Sequence, residues 1–92
     1  MKAMFSVNIS KGFAKWVKMS DSITEEAEKL GVKVDWAGCN PEETKVFIIL
    51  DMQDADQMKT FGEREDIAKA REDAGVDVSS TTLISMIDGV YP

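Results

Sequence analysis

Residues 3–9, Ala-Met-Phe-Ser-Val-Asn-Ile, alternate in character. Phe5, Val7 and Ile9 fall on one side and Met4, Ser6 and Asn8 on the other. A period of two with aromatic and β-branched residues predicts a strand. The period changes over residues 11–30. There Phe13, Trp16, Val17, Ile23, Ala27 and Leu30 recur at three- and four-residue steps, the pattern of an amphipathic helix. Ser10 is the expected N-cap and Gly31 the expected C′ residue. Ser22 and Glu25 have capping-box spacing, so a kink or restart is expected near Met19–Ser22. Glu25 and Lys29 stand in the favourable i,i+4 order.

Alternation returns over 32–38, with Val32, Val34 and Trp36 against Lys33, Asp35 and Ala37. The cluster Gly38-Cys39-Asn40-Pro41-Glu42-Glu43 predicts a turn. Residues 44–51 are apolar on both sides, with Val46, Ile48 and Leu50 against Phe47 and Ile49, as in a strand buried on two faces. Asp54 then starts a second helical pattern through Met58, Phe61, Ile67, Ala68 and Ala74. Gly62 lies inside it and costs about 1 kcal/mol relative to Ala, so a break is expected there, giving a short helix and then a longer one. Gly75 ends the pattern. Residues 76–88 alternate again, with Val78, Ser80, Thr82, Ile84 and Met86 against Ser79, Thr81, Leu83, Ser85 and Ile87.

The order β-α-β-β-α-β predicts an α+β, ferredoxin-like fold: a four-stranded antiparallel sheet with helices on one face. The chain of 92 residues reads as one domain, 1–92, without linker or repeat. Such a domain hides only about 60–70% of its unfolded surface. The doubly apolar strand 44–51 needs cover on its second face, and a second copy of the chain is the expected cover. That predicts a homodimer joined through sheet faces.

The resulting pattern resembles the dimeric α/β-barrel superfamily, in which two ferredoxin-like chains pack sheet to sheet. Two stretches carry the resemblance: Met58…Phe61…Ile67…Ala74-Gly75-Val76, and Asn8-Ile9-Ser10-Lys11-Gly12-Phe13…Trp16. The second is similar to small members of unknown function, related to antibiotic-biosynthesis-monooxygenase-like domains. The superfamily includes cofactor-independent monooxygenases, haem-degrading enzymes, lactone isomerases, haem peroxidases and ligand-binding regulatory modules. In some of these a strand-1 Asn and a Trp hold substrate between sheet and helices. The resemblance therefore implies a ligand role for Asn8 and for Trp16 or Trp36, with Phe61 at the end of the short helix beside them.

Composition narrows the chemistry. Histidine is absent, which removes Ser-His-Asp and Cys-His nucleophile pairs and His-held metal or haem, including the His that the haem-degrading relatives use. No cofactor and no metal are expected. The lone Cys39, beside Glu42 and Glu43, is expected to be inert and fits a reducing, cytoplasmic setting. A net charge of −6 argues against nucleic acid, and an RNA-binding module of this topology would need basic residues beside exposed strand aromatics. The longest apolar run, Val46–Leu50, is too short to span a membrane, and no signal-peptide core is present. Asn8-Ile9-Ser10 matches a glycosylation sequon, read as a chance match on a strand.

Among the remaining polar residues, Asp51, Asp54 and Asp56 lack the Gly that a calcium loop needs and read as helix N-terminal charge. Arg64 and Arg71 have the chemistry to anchor a carboxylate, but acidic neighbours are at hand to pair with them. Ser79–Thr82 give the last strand hydroxyls. Trp16 lies on the apolar helix stripe, where core packing is the first expectation. Trp36 has three readings: a pocket wall, a dimer contact or an edge cover. The sequence thus favours a small-molecule-binding or structural module with a small apolar ligand. The competing class is a cofactor-independent oxygenase or isomerase acting on an aromatic or lactone-like substrate, with Asn8 orienting it.

Overall fold

A computed structural model describes residues 1–92. The four alternating segments form strands β1 (Lys2–Ile9), β2 (Val32–Cys39), β3 (Lys45–Met52) and β4 (Val76–Ile87). The helices are α1 (Phe13–Lys29), α2 (Ala55–Glu63) and α3 (Glu65–Asp73). The strands pair antiparallel in the order β2-β3-β1-β4, with the helices on one face. This is the ferredoxin-like arrangement, its second helix divided into two pieces of equal length.

The alternation in β1 decides which side is core. Ala3, Phe5, Val7 and Ile9 are buried beneath the helices, while Met4, Ser6 and Asn8 look the other way. Val7 and Ile9 pack with Val46, Val76, Ala74, Trp16 and Met19 at one end of the sheet. Ala3 and Phe5 pack with Val32 and Met52 at the other. No polar residue is buried, so the core rests on apolar area alone.

Several local expectations are corrected. Ser10 does not cap α1; its hydroxyl donates to the Gly75 carbonyl at 3.2 Å. The helix begins after Gly12, and the Phe13 N–H is taken by Glu43 Oε1 at 2.9 Å. Nor does α1 break at Ser22. The Ser22 and Thr24 hydroxyls donate back to the Met19 and Ser20 carbonyls, and the helix runs on. Lys29 pairs with Glu26 at 3.4 Å rather than with Glu25. Gly31 and Gly75 take positive φ (73° and 90°) as the chain leaves α1 and α3.

The long second helix breaks at Arg64 (ψ 135°), two residues beyond Gly62. Asp54 caps α2 as expected, its Oδ1 accepting from the N–H groups of Asp56 and Gln57. In β2 the pairing shifts between Val34 and Trp36, a bulge at Asp35. Val32 and Val34 therefore face the helices while Trp36 pairs with Ile49 on the open face, and strict alternation across the strand fails. In β4 the pairing with β1 slips twice, between Met4 and Phe5 and again between Ser6 and Asn8. Residues 78–81 bulge out opposite Val7, closed by the Ser80 hydroxyl on the Asp77 carbonyl and the Thr81 hydroxyl on the Val78 carbonyl.

Candidate functional site

Between the sheet and the helices lies a cleft of about 1120 Å³. Its floor is the helix side of the sheet, from Ala3 and Phe5 through Ile48 and Leu50 to Val78 and Leu83. Its roof comes from Trp16, Val17 and Ile23 of α1 and from Met58, Phe61 and Ile67 of α2 and α3. The lining is mostly apolar, interrupted by hydroxyls at Ser20, Thr24, Ser79 and Thr81 and by charges at the mouth. This is the composition of a small-molecule site, an apolar body with a few placed polar groups. Two of its aromatics are held by neighbours on their own side. Trp16 stacks on Phe13 with centroids 5.8 Å apart and planes 7° apart. Phe61 lies under the Arg64 guanidinium, 5.3 Å from its ring centroid.

The four residues singled out from the sequence separate into two pairs. Trp16 and Phe61 are buried and line the cleft. Asn8 and Trp36 stand on the far side of the sheet. Asn8 is exposed, pairs in register with Lys45 and Asp77, and borders a shallow groove of about 320 Å³ with Ser10, Lys11 and Glu72. Its backbone N–H donates to Ser80 Oγ at 2.8 Å. Trp36 is 53% exposed, and its indole lies across Gly38; a Cβ there would come within 2.8 Å of the ring. The amide and the cleft are thus on opposite sides of one sheet, because Asn8 is one residue out of phase with Val7 and Ile9.

Arg71, expected to find an acidic partner beside it, has none within 4.0 Å. It lies half-buried on α3 and lines the cleft. Its Nη1 donates to the Gly62 carbonyl at 3.2 Å and its Nη2 to Thr81 Oγ1 at 2.7 Å. Burial holds the guanidinium below its ordinary pKa. The other helix arginine behaves as expected. Arg64 clasps Asp66 through two bonds, 2.7 and 3.0 Å, and reaches Glu26 at 3.6 Å. The hydrogen bond to Arg64 lowers the Asp66 carboxyl below its usual range, and Arg64 is raised in return.

Elsewhere Cys39 is free and half-buried at the end of β2, in register with Val46. No helix is long and apolar enough to cross a membrane.

No protein-family model matches the sequence, and no curated protein matches it. Solved structures do match the fold, the following two among them. One is a Deinococcus radiodurans protein provisionally assigned as an antibiotic biosynthesis monooxygenase, with a TM-score of 0.58 and 10% identity over 99% of this chain and 94% of that one. The other is the L-rhamnose mutarotase FA22100 of Formosa agariphila, with a TM-score of 0.61 and 13% identity over 100% of this chain and 98% of that one. Both share the ferredoxin-like arrangement of this chain. At such identities the likeness carries architecture alone, and the chemistry rests on the cleft itself.

Proposed function

We propose that this protein is a homodimer that binds a small, mainly apolar molecule in the cleft between its sheet and its helices. The carrying observation is the cleft of about 1120 Å³ walled by Trp16, Phe61 and aliphatic side chains from every layer of the fold. Removing an apolar ligand from water is favourable by about 25 cal/mol per Å² buried, so such walls recognise shape and apolar area first. Trp16 and Phe61 are the aromatic walls.

The homodimer reading rests on the open sheet face. There Met4, Phe47, Ile49 and Trp36 lie side by side with no helix above them, flanked by Lys33, Lys45 and Asp51. An apolar centre rimmed by charge suits a self-complementary two-fold contact. In this reading Trp36 is a dimer contact, and Asn8 borders the interface rather than the ligand.

A cofactor-independent oxygenase or isomerase is the second reading, favoured by the enzyme names of both fold neighbours. It ranks lower because the amide it would use, Asn8, opens to the far side of the sheet.

Titration with the neutral apolar fluorophore N-phenyl-1-naphthylamine tests the cleft. Saturable binding that Leu83→Glu weakens is expected, since Leu83 lines the cleft but is 52% exposed and contributes little to the core. No saturable binding overturns the reading. Light scattering tests the assembly: a dimer is expected, converted to monomer by Phe47→Lys, and a wild-type monomer at micromolar concentration overturns it.

A further inference from the structure

The cleft contains a cation that the protein does not neutralise. Arg71 emerges from the last turn of α3 and bridges α2 and β4, donating to the Gly62 carbonyl and to Thr81 Oγ1. Both acceptors are neutral. Every ion pair in the molecule involves other groups: Arg64 takes Asp66 and Glu26, Lys69 takes Asp73 at 3.5 Å, Lys29 takes Glu26, Lys2 takes Asp35, and the N-terminal ammonium takes Asp51 at 3.6 Å. No carboxylate oxygen lies within 4.0 Å of the Arg71 nitrogens, although Glu72 and Asp73 follow it directly in a chain of 17 acids.

Several lysines also lack an ion pair, but Arg71 is the one such cation that is both half-buried and in the lining of the cleft, where Lys33 and Lys59 are exposed. A guanidinium has five N–H donors and does not lose its charge in proteins, so two neutral acceptors leave its charge uncompensated and three donors to spare. Burial without a partner acts against the charged form of this group. The arrangement also fixes the side chain. Thr81 Oγ1 accepts from Arg71 while donating to the Val78 carbonyl at 2.8 Å, so the hydroxyl has one orientation and the β4 bulge becomes the guanidinium's rest. Around this point Phe61, Ile67, Val78 and Leu83 are apolar and line the same cleft.

We infer that Arg71 is the anion-recognising residue of the cleft and that the ligand is an amphipathic monocarboxylate, its apolar body against Trp16 and Phe61 and its carboxylate on Arg71. The inference rests on the cleft being the binding site. A planar carboxylate matches the fork of a guanidinium already held by two bonds, and it supplies the countercharge that the protein withholds. Hydrogen bonds to charged groups are the stronger kind, and apolar surroundings keep water from screening them.

The test is displacement of bound N-phenyl-1-naphthylamine by two isosteric competitors, naphthalene-2-carboxylate and 2-naphthamide, followed by the same pair on Arg71→Gln and Arg71→Lys. On the wild type the acid is expected to bind about tenfold more tightly than the amide. Arg71→Gln is expected to erase that preference, and Arg71→Lys to keep part of it because the charge remains but the fork is lost. Equal binding of acid and amide to the wild type, with the fluorophore still bound, overturns the Arg71 inference and leaves the cleft reading standing. Failure of the fluorophore to bind the wild type overturns both. The wild-type comparison needs no variant, so a poorly folding Arg71→Gln does not decide the outcome.

Discussion

Glu43 Oε1 accepts the backbone N–H of Phe13 at 2.9 Å, so a side chain in the β2–β3 turn caps a helix that starts 30 residues earlier. Glu43 does this from a left-handed backbone, φ 55°, a conformation that L residues other than Asn and Asp seldom adopt. The turn is held by Asn40, whose Oδ1 accepts from the N–H groups of Thr44 and Lys45 and whose amide donates to Thr44 Oγ1. Local strain at Glu43 is thus exchanged for a satisfied donor at the start of α1, which roofs the cleft through Trp16.

Replacing Glu43 with Ala therefore removes the cap while keeping the strained backbone, and is expected to cost about 1 kcal/mol in urea denaturation. Glu43→Gly loses the same hydrogen bond but relieves the positive φ, so it is expected to be the milder change. If Ala proves the milder of the two, the strain at this turn has been misjudged.

The two tryptophans are expected to respond very differently to truncation. Trp16 is 6% exposed and packs with Val7, Met19 and Val46, so Trp16→Ala is expected to cost about 3–5 kcal/mol. Trp36 is 53% exposed on the open face, and Trp36→Ala is expected to leave monomer stability within about 1 kcal/mol while weakening self-association. Thermal melts over a range of protein concentrations separate the two effects, because only the second depends on concentration.

Gly62→Ala is expected to raise stability by up to about 1 kcal/mol, the difference in helix propensity. Gly62 is helical, and a Cβ there meets only Arg71 Nη1, at the ordinary contact distance of 3.6 Å. A loss of stability in a thermal melt would mean that the guanidinium cannot share that space.

Acid is expected to weaken the α2–α3 junction. The Arg64 hydrogen bond lowers the Asp66 pKa in the folded chain, so folding favours the ionised carboxylate. The resulting stabilisation is present above the ordinary Asp value of about 4 and is lost as pH falls through the lower folded value. Melting midpoints of wild type and Asp66→Asn are expected to differ at about pH 7 and to converge once the pH has fallen below the lowered folded value. Added salt should shrink the difference at neutral pH, since both partners are exposed. A difference that persists in strong acid would assign it to something other than the ion pair.

Local signals were sufficient for the elements because their causes are local. Period-two alternation defined β1, β2 and β4, and a run apolar on both sides defined β3, each to within a residue or so; the apolar stripe of α1 and the Asp54 cap were read directly. Alternation divides β1 into two sets, Val7 with Ile9 and Ser6 with Asn8, but it does not say which set the helices cover. That choice belongs to the packing, and it puts Asn8 on the open face. Which of its three readings suits Trp36 was hidden for a similar reason. A single-residue bulge at Asp35 reverses every side chain beyond it, and a bulge depends on the partner strand.

Periodicity and turn chemistry within this chain determined the ferredoxin-like element order, a sheet with apolar residues on both faces, and aromatic candidates for a pocket at Trp16 and Phe61. Only the tertiary structure decided that Trp16 and Phe61 share a cleft while Asn8 and Trp36 do not. It alone decided that Glu43 caps a distant helix, and that Arg71 lies among neutral partners although acids stand next to it in sequence. Secondary structure follows from steric and hydrogen-bonding preferences that each short segment carries with it. Whether a charge finds a countercharge depends on which distant elements come to rest beside it, and that is settled when α2, α3 and β4 pack together.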